Sequence, residues 1–84
     1  MAKTAQEQWI EVKAASDKSK ARNWKQMESG KISFKKWEEK ENARKLRVAR
    51  WAFKALPGQP NCVENICLAV DDMFFMRSLV QYYG

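Results

Sequence analysis

Glycine and proline occur at only five positions in this chain, Gly30, Pro57, Gly58, Pro60 and Gly84. They are the residues that most reliably interrupt regular backbone. The stretches they leave, residues 1–29 and 31–56, are too long for single strands and contain no hairpin-turn dipeptide. A chain punctuated this sparsely is restricted to a few long helices.

Capping residues locate their ends. Thr4 stands three residues before Glu7, the spacing of a capping box, and opens the first helix. At 100° per residue Ala5, Trp9, Val12, Ser16, Asn23 and Met27 share one side, with Trp24 near its edge. The run Ser16-Asp17-Lys18-Ser19-Lys20 is wholly polar and thins that stripe. Without Gly or Pro in it, the helix is expected to continue to Gly30; the alternative is a break capped by Ser16 or Ser19. Ser33 N-caps a second helix, with Ile32 and Trp37 at the spacing of a hydrophobic staple, and Pro57-Gly58 ends it after Leu56. Asn61 and Glu64 repeat the cap pattern and open a third helix, expected to run to Tyr83.

On the third helix Cys62, Val63, Ile66, Ala69, Val70, Met73, Phe74, Met76 and Val80 cover a broad apolar arc, which makes it the expected centre of the core. A second stripe, Leu68, Phe75, Leu79 and Tyr82, lies opposite. It is covered by the first helix or forms a protein interface, with a homodimer as one form. The expected fold is therefore all-α. Residues 1–84 form a single helical domain, a three-helix bundle of long helices joined by short turns, with the last helix as a candidate dimer surface.

Charge is unevenly spread. Residues 1–56 hold 15 Lys/Arg against 7 Asp/Glu, giving +8, whereas residues 57–84 hold one Arg against three acids, giving −2. The first two thirds thus offer a basic working surface. On the second helix Lys36, Lys40, Arg44, Arg47, Arg50 and Lys54 fall within about 120° of one another by the helical period. Trp51 stands among them, and Lys18, Arg22 and Lys25 form a shorter strip on the first helix. Such a face could neutralise several phosphates, with Trp51 either exposed to stack on an unpaired base or packed under a neighbouring helix.

Glu38, Glu39 and Glu41 sit one turn from several of these cations, so a merely solvated, self-paired face is the competing reading. Contact with an acidic protein or an anionic membrane surface is also compatible with the charge. A helix-turn-helix pattern can be drawn from Lys20 through the Gly30 turn. Its second helix is long for a recognition helix, however, and its first turn offers Lys35 and Lys36 but no Asn, Gln or Arg to read base edges.

Catalytic chemistry has little to work with. There is no histidine. Cys62 and Cys67 lie about 140° apart on a helix, a poor geometry for a disulfide and too few ligands for zinc. The pairs Asp71-Asp72 and Glu38-Glu39 are adjacent and point to different faces. No Gly-rich phosphate loop or nucleophile elbow occurs. The expectation is a protein that is not an enzyme and holds no metal or cofactor. The first residues lack the apolar core of a secretory signal, and the longest apolar run, Ile66 to Val70, falls short of the ~20 residues of a membrane span. A cytoplasmic location is expected.

In size, basicity and lack of a catalytic motif the chain resembles small accessory proteins of phages and mobile elements. The resemblance is one of composition and covers no motif. The expected function is binding of DNA or RNA, mainly through phosphates. The alternative is an inhibitor or adaptor that docks on an acidic or nucleic-acid-binding protein surface.

Overall fold

The computed structural model describes residues 2–84. They form four α-helices, α1 (Ala5–Glu28), α2 (Phe34–Ala55), α3 (Val63–Leu68) and α4 (Met73–Tyr83), and no strand.

The Thr4–Glu7 capping box is present: Glu7 N–H donates to Thr4 Oγ1 at 3.2 Å, and Thr4 N–H donates to Glu7 Oε1 at 3.1 Å. The Thr4 bonds hold the Glu7 carboxyl below its ordinary pKa. From there α1 runs unbroken through Ser16-Asp17-Lys18-Ser19-Lys20. The apolar stripe thins there because Ser16 is buried against a polar partner, the Arg44 guanidinium, which donates to Ser16 Oγ at 2.8 Å.

Gly30 ends α1 at φ 82°. Lys31 N–H reaches back to Gln26 O at 2.9 Å and Gly30 N–H to Met27 O at 3.1 Å, the paired bonds of a Schellman motif. No atom lies within 4 Å of where a Cβ on Gly30 would stand, so the position selects glycine through its backbone alone. Gly30→Ala is expected to cost about 1–2 kcal/mol, the penalty of placing an L-residue in the left-handed region, measured as a lower urea midpoint with an unchanged m-value.

Ser33 caps α2, its hydroxyl accepting from Lys36 N–H at 3.1 Å. Packed antiparallel to α1, α2 forms a hairpin with it. The register is set by Trp51 against Gln8, Arg44 against Ser16, Asn23 against Glu41, and Lys40 against Gln26.

The expected third helix is two helices. α3 begins at Val63, with Cys62 as its N-cap and no side-chain cap bond, so Asn61 does not open it. It ends at Leu68, and a turn leads to Asp72, whose carboxylate accepts from Phe75 N–H at 3.1 Å and starts α4. Asp71 and Asp72 cause the break: Asp72 caps, while Asp71 is drawn inward to Arg44. An Asp side chain competes with helical backbone bonding in this way.

The break resets the helical phase. Ile66 and Val70 face inward, followed by Met76, Leu79 and Val80. Leu79, expected on the outer stripe, is core, and Phe75 is half-buried against that core. Cys62, Met73 and Phe74, expected inside, are exposed.

α2 and its C-cap supply the other half of the core through Val48, Ala49, Ala52 and Leu56, while α1 adds half-buried Ala5, Trp9 and Val12. α4 ends with Gly84 beside Ala5, and Asp71, just before its start, reaches Lys20 and Arg44. The α3–α4 segment therefore covers the open end of the hairpin as far as about residue 20 of α1. α1 has 24 residues and α4 has 11, lengths of about 36 and 16 Å at 1.5 Å per residue. The hairpin outruns its cover. Its distal part is held by its own contacts, among them Trp24 against Trp37 (ring centroids 6.0 Å apart) and Phe34 against Trp37 (5.4 Å). The Trp37 indole nitrogen is buried there without an acceptor among the described residues.

No helix among the described residues is long and apolar enough to cross a membrane.

Candidate nucleic-acid interface

The expected six-cation row loses its central member. Arg44 is fully buried. Its guanidinium donates to both oxygens of Asp71 at 3.0 and 2.8 Å and to both oxygens of Glu41 at 3.0 and 2.9 Å. Ser16 takes a further bond, and Asn23 Nδ2 donates to Glu41 Oε2 at 2.9 Å. One cation and two carboxylates thus tie α1, α2 and the α3–α4 turn together where the cover over the hairpin ends. Two bidentate pairs use the planar fork of arginine, which lysine cannot reproduce.

Arg44 hydrogen bonds hold the Asp71 carboxyl below its ordinary range, against the opposing effect of burial. Burial raises Glu41, but its bonds from Arg44 and Asn23 outweigh that and leave it lowered. Burial also disfavours the charged Arg44, and the hydrogen bonds from its two carboxylate partners reverse this, raising its pKa.

Both acids are depressed in the folded state, so the unfolded chain takes up protons first on acidification. Their stabilising contribution is fully present above the ordinary values of 4.5 for Glu and 3.8 for Asp, and it is lost as pH falls through the lower folded values. The urea midpoint is expected to change little from pH 8 to about 5 and to fall below about 4.5. An Arg44→Met variant should show a shallower acid limb, because its carboxylates are no longer held down.

Trp51 is half-buried and packed against the core. Its indole N–H donates to Gln8 Oε1 at 2.9 Å, and its ring stacks on Trp9 with centroids 5.8 Å apart and planes 20° apart. One ring face and the polar edge are thereby used within the fold. Of the two alternatives, exposure among the bases or packing under a neighbouring helix, Trp51 takes the second, between α1 and α2.

Beside Trp51 lies a groove of about 210 Å³, lined by Val12, Ala15 and Ser19 from α1 and by Arg47 and Trp51 from α2. No residue of α3 or α4 lines it, so it faces away from them. By the helical period Arg22 continues the α1 bank beyond Ser19, with Lys18 and Lys25 next to it; Lys40 continues the α2 bank, with Lys36, Arg50 and Lys54 next to it. The hairpin thus brings the two basic strips to opposite sides of one face.

Lys18, Arg22, Lys25, Arg47, Arg50 and Lys54 are all exposed, and no carboxylate among the described residues lies within ion-pair distance of them. Lys36 pairs with Glu39 at 3.7 Å, and half-buried Lys40 donates to Gln26 Oε1 at 2.9 Å. The expected neutralisation by Glu38, Glu39 and Glu41 is limited: Glu39 reaches Lys36, and Glu41 is taken by Arg44.

The expected protein-interface stripe is divided by the break between α3 and α4. Leu68 and Tyr82 are 86% and 80% exposed, while Phe75 and Leu79 pack inward; Phe74, 83% exposed, was not expected on this surface. A second exposed aromatic group, Trp24 and Phe34 at the hairpin tip, was also missed. Its one sequence signal is the position of Trp24 at the edge of the α1 stripe rather than inside it.

Cys62 and Cys67 are free thiols, and no cluster of three or more metal-ligating side chains occurs among the described residues. Comparison with protein-family models, with curated proteins and with solved structures gives no match to this chain.

Proposed function

We propose that this chain is a small non-catalytic protein of one helical domain, working in the cytoplasm, that binds nucleic acid mainly through phosphate contacts on the outer face of the α1–α2 hairpin. The observation that carries the reading is the set of six exposed cations without ionic partners among the described residues, Lys18, Arg22 and Lys25 on α1 and Arg47, Arg50 and Lys54 on α2. Cations already paired to carboxylates would have to give up a partner to meet a phosphate; these do not. Their spread over both helices suits a backbone crossing or following the groove, and contacts of this kind carry no sequence information.

Electrophoretic mobility with single- and double-stranded DNA and RNA at rising salt tests the reading. Retardation is expected at ~50 mM salt and should weaken steeply towards ~200 mM. Absence of retardation at ~50 mM for all four would sink it.

A second reading is favoured by a different observation, the exposure of Leu68, Phe74 and Tyr82 on the α3–α4 side. Large apolar side chains in this position suit a protein partner, either a second copy or a target whose acidic surface meets the basic hairpin. In this reading the chain is an inhibitor or adaptor. Sedimentation equilibrium showing only monomer at ~100 µM would remove the homodimer, and a native pull-down without a protein partner would count against the adaptor.

A further inference from the structure

We infer that the tip of the α1–α2 hairpin is a stacking site for an unpaired base, which makes single-stranded nucleic acid the preferred ligand. The inference rests on the phosphate-binding reading above and adds the strand type and a site that the basic face does not supply. Trp51 cannot readily fill this role, since Trp9 covers one face of its ring and Gln8 takes its N–H.

At the tip the situation is reversed. Trp24 is 52% exposed and Phe34 60%, and both sit where α3 and α4 no longer cover the hairpin. Trp37 braces them from below, so the rings are held rather than free to fold back into a core. A rigid, half-exposed indole has already lost most of the conformational freedom that binding would otherwise take away.

The surroundings select the occupant. Trp24 lines a broad depression of about 910 Å³ whose charged lining is Arg22, Lys25 and Lys31 against one acid, Glu28. From residue 18 to residue 36 the chain carries seven Lys/Arg and one acid, Glu28. Of those cations Lys20 and Lys36 have ionic partners, and Arg22, Lys25 and Lys31 in the depression have none among the described residues. An aromatic face beside three such cations, which outnumber Glu28, fits a base on the ring with its flanking phosphates on Arg22, Lys25 and Lys31. A base stacked within a duplex has no free face to offer, which is the source of the strand preference.

The test is fluorescence anisotropy with a labelled 20-nucleotide single-stranded oligonucleotide and a duplex of the same length, at ~50 mM salt. Wild type is expected to favour the single strand. Trp24→Ala should weaken single-strand binding by about 5- to 150-fold, the range measured for one base–aromatic contact, with little effect on the duplex. Trp24→Phe, which keeps an aromatic face, should retain most of the affinity and guards against a folding defect.

Equal single-strand affinity for wild type and Trp24→Ala would overturn the stacking site while leaving phosphate binding intact. A wild type that prefers duplex would do the same. No binding to either oligonucleotide would remove both readings. Trp24-dependent binding to phosphatidylserine-containing vesicles, without Trp24-dependent oligonucleotide binding, would overturn the inference in favour of a membrane surface.

Discussion

Arg44→Ala is expected to destabilise the fold by about 3–5 kcal/mol, the loss typical when one partner of a buried ion pair is removed. The expected size follows from what the substitution leaves behind. Glu41 stays buried between α1 and α2 with only Asn23 as a donor, and Asp71 loses both of its guanidinium bonds. Small domains have a total stability of only about 5–15 kcal/mol, so the variant should be partly unfolded at modest urea concentration. Arg44→Lys should recover little, because an ammonium cannot serve two carboxylates in bidentate fashion.

The control is Arg50→Ala on the same helix. Arg50 is exposed and has no ionic partner among the described residues, and its loss should change stability by no more than about 0.5 kcal/mol. Urea denaturation of the three variants measures the contrast. Similar midpoints for Arg44→Ala and Arg50→Ala would mean that Arg44 does not hold the helices together.

Neutralising Arg47, Arg50 and Lys54 together to glutamine should have the opposite profile, a large effect on binding and a small one on stability. All three are exposed, and none has a carboxylate partner to lose among the described residues. If each meets a phosphate, the slope of log K against log salt should flatten by about 2–3, at 0.7–0.9 per contact. Extrapolated from 1 M down to 50 mM salt, that difference corresponds to a loss on the order of 10³-fold in affinity. Unchanged binding would move the interface off α2.

Much of this architecture is legible in the sequence because it depends on local chemistry. The Thr4–Glu7 box, the glycine at 30 and the serine at 33 each satisfy backbone groups within a few residues, and each is found where its spacing puts it. The continuity of α1 is legible for the same reason. The break between α3 and α4 is not. Its apolar pattern suits one helix, and only the long-range pull of Arg44 on Asp71, together with capping by Asp72, divides it.

Arg44 is the clearest case of a residue whose role is set by tertiary structure. On the wheel it belongs to the basic arc, yet its partners are Glu41 one turn away, Ser16 on α1 and Asp71 beyond α3. A signal did exist. Ser16 and Asn23 interrupt the apolar stripe of α1, and polar residues in a buried stripe require partners. Trp24 is exposed and Trp51 half-buried for a geometric reason. Trp51 lies where α1 packs closely against α2, and Trp24 lies past the end of the shorter α3–α4 cover, whose extent no periodicity could reveal.

The salt dependence of wild-type binding tests the phosphate-contact reading most directly. Anisotropy of a labelled single-stranded oligonucleotide should be followed from ~50 to ~200 mM monovalent salt. If the six unpaired cations all meet phosphates, log K should fall with log salt at a slope of about −4. No measurable binding at ~50 mM, or binding with a slope near zero, would contradict phosphate recognition by this face.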